Sequence, residues 1–173
     1  IIWPPKLKQG AIIIVGFVYV QLILGALMRH TASGLAIPDF PLMGGMWIPT
    51  FSSNMLNNIN VVLFEMDRDL VTMGQVVIHF IHRLGAVIVT GTIAYYLYRY
   101  NSIIQKDKLV RNTFWWIGGI VITQFTLGVV TVLTERSPYI ASYHVVTGAA
   151  LLGICTLLSF RINSKKWNEW RSH

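Results

Sequence analysis

The chain has 173 residues, of which 54% are hydrophobic and only 12% are charged. Soluble domains carry about a quarter charged residues, so this composition excludes an ordinary soluble protein and predicts an integral membrane protein. We expect one domain over residues 1–173 with any chemistry inside or beside the bilayer, because a chain of this length cannot hold both a membrane bundle and a soluble catalytic domain.

The formal net charge is +7, from 14 basic and 7 acidic side chains. The basic residues are scattered between apolar runs and form no stripe or arm, so nucleic acid is not expected as a partner. The single cysteine, Cys155, excludes an intrachain disulfide, a paired-cysteine metal site and covalent haem attachment through two cysteines.

Four apolar segments are long enough to cross a hydrocarbon core, which needs about 20 helical residues. In chain order they are residues 11–28, 75–98, 113–134 and 140–160. The first has no small-residue cleavage site near its end, so we expect a retained span rather than a removed signal peptide. The predicted fold is an all-α membrane protein, a bundle of four transmembrane helices.

An even number of spans puts both termini on one side of the membrane, and basic side chains favour the cytoplasm. The segments on the predicted terminal side carry ten basic residues against only Asp107 and Glu169. The ten are Lys6, Lys8, Arg99, Lys106, Lys108, Arg111, Arg161, Lys165, Lys166 and Arg171. We therefore predict that both termini are cytoplasmic, in a prokaryotic-type cell membrane.

The predicted outer loop, residues 29–74, is long, and loops of that length are usually functional or disordered. Its first part is rich in Gly and Pro but also carries large apolar side chains, as a folded loop on the membrane would. In its second part the apolar residues follow the spacing of an amphipathic helix, which we expect on the outer surface. That apolar face consists of Leu56, Ile59, Leu63, Met66, Leu70 and Met73.

A weak internal repeat relates the two halves of the chain. Residues 21–26 (QLILGA) resemble residues 124–129 (QFTLGV), and residues 82–86 (HRLGA) resemble residues 144–149 (HVVTGA). The repeat predicts two related hairpins about an axis along the membrane normal. That arrangement puts His82 and His144, which begin the second repeated motif in each half, at matching depths and facing a shared interior.

Ionisable side chains inside membrane spans are costly and mark functional sites. Here they are His79, His82, Arg83 and His144. The imidazoles of His82 and His144, beside small residues, can bind the two axial positions of a haem iron; alternatively, they only form hydrogen bonds between helices. His79 lies about 60° round the helix from His82. It either acts as an acid, base or hydrogen-bond donor at the haem edge, or lies near the interface without a chemical role.

Arginines near the outer boundary can pair with haem propionates through two parallel hydrogen bonds. Arg83 and Arg29 are the candidates for this role. The alternative is that these side chains extend to the interface or pair with a carboxylate, which is the interpretation we favour for Arg136.

The stretch at residues 24–42, LGALMRHTASGLAIPDFPL, followed by HRLGA and a histidine early in the fourth span, resembles the haem A synthase family. The resemblance covers essentially the whole chain. It implies an oxidoreductase that converts the C8 methyl group of haem O, its substrate, to the formyl group of haem A for haem–copper oxidase assembly. It also implies a haem B cofactor, with His82 and His144 as axial iron ligands.

The chain departs from the family pattern in three ways. Members generally have two four-helix halves, so here either two or more copies associate to supply separate substrate and cofactor sites, or one site serves both; we expect the homo-oligomer. An electron acceptor and haem O synthase are the other expected partners. Many members have a Glu where this chain has His79, so either His79 substitutes for it or Glu65 reaches in from the surface helix. Ile37 and Met43 stand where bacterial members often have a cysteine pair, so the redox role proposed for that pair cannot operate here.

Two alternatives to the enzyme remain open at the level of sequence. One is a bis-histidine haem B subunit that transfers electrons without modifying haem, and the other is an assembly or haem-carrier subunit without redox chemistry. The electron-transfer subunit needs both histidines but gives no reason for the elaborate loop at residues 29–42.

Overall fold

The computed structural model describes residues 1–163, and this part of the chain forms five α-helices. They are α1 (Pro5–His30), α2 (Ser53–Glu65), α3 (Met73–Ile104), α4 (Lys108–Leu133) and α5 (Pro138–Asn163). All except α2 are long and apolar enough to cross a membrane, so the predicted all-α bundle with four spans is confirmed. Each span begins earlier than its apolar segment, because local capping groups rather than hydropathy set where a helix starts.

The capping groups are visible in the sequence around three helix starts. Thr72 and Gln75 form a capping box at α3, in which each side chain accepts a hydrogen bond from the backbone N–H of the other, at 3.4 and 2.9 Å. The Asp107 carboxylate accepts bonds from two N–H groups of the first turn of α4, at 2.9 and 3.1 Å. Pro5 is the first residue of α1, where a missing N–H costs nothing.

The four spans form a closed ring in which α1 packs against α3 and α5, and α4 packs against the same two helices. The pairs α1–α3 and α4–α5 are the two hairpins that the internal repeat predicts. As a result α3 and α5, which carry the two repeated histidines, lie diagonally across the bundle.

The end of the bundle near the N-terminus, here called the terminal end, is closed by one apolar cluster, the base core. Its buried side chains include Leu7, Ile14, Ile93, Tyr96, Phe114, Ile117, Leu158 and Ile162. The Tyr96 hydroxyl donates a 2.9 Å hydrogen bond to the Leu7 carbonyl, so this ring is anchored as well as buried. Cys155 is buried in the same cluster as a free thiol.

The opposite end, here called the loop end, is covered by residues 31–72, which we name the loop cap. Within it α2 turns one apolar face inward, and the side chains of that face pack with the chain before α2 and the start of α3. The buried members are Leu35, Ala36, Ile37, Met55, Ile59, Leu63 and Val76. The predicted amphipathic helix of the loop is therefore present.

That helix is shorter than its apolar pattern suggests, because it ends at Glu65 rather than continuing to Met73. Asp67 has a φ of +54°, and the N–H of Arg68 donates to the carbonyl of Leu63 at 2.9 Å, which together form a left-handed helix stop. Beyond it, the Asn60 side chain binds both the N–H and the carbonyl of Val71, at 2.8 and 3.1 Å. These bonds lead the chain into α3 as an extended segment.

The orientation of the bundle in the membrane stays a prediction. Three of the basic residues that support it, Lys165, Lys166 and Arg171, lie outside the residues that the structure describes.

Candidate functional site

The two histidines of the repeat lie between the base core and the loop cap. In the direction of the loop end, the base core ends at Val18, Val89, Val121 and Leu151. His82 on α3 and His144 on α5 lie beyond that level, on helices that are diagonal in the bundle. The structure thus brings together the two side chains that the sequence singles out as iron ligands.

His82 is held by α1, through a glutamine and a glycine one turn apart. The Nε2 atom of Gln21 lies 3.2 Å from Nδ1 of His82 and donates a 2.9 Å bond to the His82 carbonyl. A Cβ at Gly25 would lie 3.3 Å from Cε1 of the same imidazole. A Cβ at Gly85 would lie only 2.2 Å from Oε1 of Gln21, so a glycine at position 85 makes room for the amide.

His144 has comparable surroundings in the second hairpin, although the glutamine there approaches Nε2 of the ring instead of Nδ1. The Nε2 atom of Gln124 lies 3.5 Å from Nε2 of His144, and a Cβ at Gly128 would lie 3.2 Å from its Cε1 atom. A Cβ at Gly148 would lie 3.1 Å from the Gln124 amide nitrogen. The repeat is therefore a repeat of three-dimensional surroundings, with a glutamine and two glycines placed round each histidine.

The polar side chains at the level of the two histidines are suited to a haem. Within residues 1–163, Gln21 Oε1, Gln124 Oε1 and His144 Nδ1 are buried without a hydrogen-bond partner, and unpartnered buried polar atoms suit a polar or metal-containing ligand. The described chain has no cluster of three or more His, Cys, Asp or Glu side chains for an ordinary metal site. A haem iron needs only axial ligands from the protein, and imidazole is a common one. His82 and His144 fit that requirement.

His79 faces the loop cap, with only 2% of its surface exposed. Its Nδ1 atom lies 3.0 Å from the backbone nitrogen of Ile37, and its Nε2 atom lies 3.1 Å from Nε of Arg83. Both of those groups are hydrogen-bond donors, whereas a neutral imidazole has a single acceptor nitrogen. Position 79 therefore offers the surroundings of a group with two acceptor atoms, such as a carboxylate.

Arg83 forms three hydrogen bonds to backbone carbonyls of the loop cap. Its guanidinium donates to the carbonyls of Ile37, Asp39 and Leu42 at 2.7, 2.9 and 3.2 Å, in addition to its contact with His79. Four of its five N–H groups are used in this way. In this structure Arg83 fastens the loop cap to α3, and its predicted pairing with a haem propionate stays a prediction.

The segment that Arg83 holds is closed by a tight turn. Gly44 and Gly45 have φ of +66° and +78°, which suits a two-residue hairpin turn between Met43 and Met46. The N–H of Met43 donates a 2.7 Å hydrogen bond to the carbonyl of Met46. Both glycine N–H groups donate to the carboxylate of Asp39, each at 2.8 Å. The loop sequence Pro-Asp-Phe-Pro-Leu therefore folds into a fixed shape.

Arg29 and Glu65 are both exposed, at the last turn of α1 and the last residue of α2. Within the described chain neither side chain forms a hydrogen bond or ion pair, and neither contacts the histidine pair in that way. Their predicted roles at the haem are untested. Arg136 is exposed as well and lies against Gly34, where a Cβ would be 3.2 Å from its Nε atom.

Sequence reasoning missed Gln21 and Gln124 as part of the site. The signal was present, because both begin the first repeated segment and both are followed four residues later by a glycine. Polar side chains inside apolar spans are infrequent enough that this spacing, taken with the repeated histidines, identifies them.

Comparison with known proteins gives a consistent result. Residues 3–156 match the family of cytochrome oxidase assembly proteins. The haem A synthase of Rickettsia akari is 31% identical over 161 residues, which cover 92% of this chain and 43% of that protein. The haem A synthases of Roseobacter denitrificans and Halalkalibacterium halodurans are each 29% identical, over 74% and 82% of this chain.

The chain spans less than half the length of these curated relatives, with 31% to 43% of each covered. No solved structure matches the chain.

Proposed function

The chain belongs to the haem A synthase family of cytochrome oxidase assembly proteins, and from that membership we propose that it acts as an oxidoreductase in haem A synthesis. Its substrate is haem O, whose C8 methyl group becomes the formyl group of haem A. The observation that carries the proposal is the pair of imidazoles on diagonal helices, each beside a glycine and below the folded loop cap.

The reaction has to balance in atoms and electrons. With water as the oxygen source, two successive hydroxylations turn the methyl group into a geminal diol, which loses one water to give the aldehyde. The conversion releases four electrons and four protons in total. It therefore requires an electron acceptor, which we propose to be a second haem or a partner protein.

The residues of this chain supply binding and enclosure. His82 and His144 would hold the haem iron, and an iron porphyrin would supply redox chemistry when it is bound. Arg83 and His79 fix the loop cap beside the pair, which restricts water at the reacting edge. Arg29, which is exposed at the last turn of α1, is our candidate for pairing with a propionate.

The pigment of the purified protein tests this function. We expect haem extraction and mass analysis to find haem O or haem A together with haem B. Replacing His82 or His144 by Met should alter the Soret band, while the same change at the exposed His30 should leave it unchanged. Unaltered spectra for both site variants would contradict the assignment of the axial ligands.

A bis-histidine haem B subunit for electron transfer is the second candidate. It is favoured by the position of His79, whose two ring nitrogens both face groups that fasten the loop cap rather than a substrate. Supplying haem O with an electron acceptor separates the two functions. Haem B alone, with no conversion of haem O, supports the electron-transfer subunit and contradicts the synthase.

We also propose that two or more copies of the chain associate in the lipid bilayer, so that one unit holds the cofactor and another the substrate. Haem O synthase and the electron acceptor are the other proposed partners. The mass of the detergent-solubilised, haem-loaded protein tests the self-association. A monomer that converts haem O would contradict it.

A further inference from the structure

Two glutamine amides lie inside the bundle at matching places in the two hairpins. Gln21 contacts the imidazole and the carbonyl of His82 through its Nε2 atom, at 3.2 and 2.9 Å. Gln124 approaches the imidazole of His144 through its own Nε2 atom, at 3.5 Å. In each amide the oxygen Oε1 is buried and has no hydrogen-bond partner in the described chain.

The orientation of such an amide decides which imidazole nitrogen carries the proton. An amide N–H that points at a ring nitrogen requires that nitrogen to accept, so the proton of a neutral imidazole lies on the other nitrogen. A protonated nitrogen cannot bind a metal. If the amide turns by 180°, its oxygen accepts a hydrogen bond from the proton-bearing nitrogen, and the nitrogen on the far side becomes free for iron. That far nitrogen is Nε2 in His82 and Nδ1 in His144, and the turn of Gln21 gives up its bond to the His82 carbonyl.

We propose that Gln21 and Gln124 are positioning residues, which orient the imidazoles of His82 and His144 and set the tautomer in which one ring nitrogen of each can bind iron. The inference rests on the haem site of the preceding subsection. It assigns a role to both unpartnered Oε1 atoms: each is the acceptor for a ring N–H when the opposite nitrogen binds the metal.

The glycines beside the amides support this role. A Cβ at position 85 would lie 2.2 Å from Oε1 of Gln21, and one at position 148 would lie 3.1 Å from Nε2 of Gln124. Residues of the histidine helices thus leave space for the amides in both hairpins. An amide beside an imidazole recurs in the two repeated hairpins, on Nδ1 of His82 and on Nε2 of His144.

The first test measures haem affinity in the full chain with Gln21→Leu and, separately, Gln124→Leu. Removing a side chain that orients a metal ligand weakens metal binding about 10- to 100-fold, and we expect that loss for each variant. Gln9→Leu, on the exposed surface of α1, is the matched control and should bind as the unchanged chain does. Gln21→Glu keeps an acceptor oxygen at the same place, so it should retain most of the affinity.

The second test needs no haem. In the haem-free protein, the ¹⁵N chemical shifts of labelled imidazoles report which ring nitrogen is protonated. Gln21→Leu should change the shifts of His82, and Gln9→Leu should not. If Gln21→Leu has the ring shifts and the haem affinity of the control, the positioning role is refuted. If the unchanged chain binds no haem, the proposed function fails, while the shifts still test the pairing of Gln21 with His82.

Glycine variants guard against loss of folding as the explanation. Gly85→Ala inserts a methyl group against the Gln21 amide without changing either histidine, so it should weaken haem binding in the same direction as Gln21→Leu. Gly91→Ala on the same helix meets no atom within 4 Å and is the control. Equal haem affinity in Gly85→Ala and Gly91→Ala, with helix content unchanged, would overturn the proposal.

Discussion

Replacing Arg83 by Ala should release the loop cap while leaving the base core intact. The guanidinium makes four hydrogen bonds, three of them to backbone carbonyls of the loop cap. Hydrogen bonds from a charged donor contribute about 1.5–3 kcal/mol each, but bonds that share one side chain do not add in full. We expect the free energy of opening the loop cap to fall by about 3 kcal/mol, which is on the order of a hundredfold in the opening equilibrium.

Amide hydrogen exchange measures this opening residue by residue. The N–H of Ile37, which donates to His79, should exchange on the order of a hundredfold faster in Arg83→Ala, while the amides of α4 stay protected. Arg68→Ala is the control, because its exposed ion pair with Glu135 at 2.9 Å contributes at most about 1 kcal/mol. Unchanged exchange at Ile37 in Arg83→Ala would refute the fastening role of Arg83.

Three further substitutions have defined outcomes. His79→Glu supplies two acceptor oxygens for two donors, so it should slow exchange at Ile37 relative to His79→Leu; equal rates would contradict the argument from acceptor atoms. Asp39→Asn removes one of the two acceptors that close the glycine turn, which should destabilise the turn by about 1 kcal/mol and make the loop cap easier to cleave by protease; unchanged cleavage would count against this. Gly25→Ala pushes the His82 ring by a few tenths of an ångström and should shift the Soret band, whereas Gly16→Ala, with open space round it, should not; identical spectra would exclude the contact.

Much of the fold was predictable because its determinants are local. Long apolar runs with few charges predict the four spans, and the three–four spacing after Leu56 predicts α2. The end of α2 was not predictable in the same way. It depends on the left-handed backbone of Asp67 and on the bonds from Asn60 to Val71. Those bonds join residues 11 positions apart, which no helical spacing indicates.

The same distinction between local patterns and contacts of separated residues applies to the candidate site. The histidine pair was predictable, because an internal repeat contains both residues and because ionisable side chains are costly inside membrane spans. The structure places both side chains between the base core and the loop cap. The contacts of Arg83 were not found, because its acceptors are backbone carbonyls some forty residues earlier, and carbonyls leave no signature in a sequence. The predicted role of His79 at the haem stays a prediction, and its contacts in the structure are with Ile37 of the loop cap and with Arg83 on its own helix.

The histidine level lies between two apolar clusters that share no buried residue. Neither cluster includes His82, His144, Gln21 or Gln124. The level between the clusters can therefore keep polar atoms without partners and glycines beside imidazoles. Both features would be unfavourable inside a single, closely packed apolar core. Substitutions at this level should therefore change what the middle of the bundle can bind more than they change the packing of either cluster.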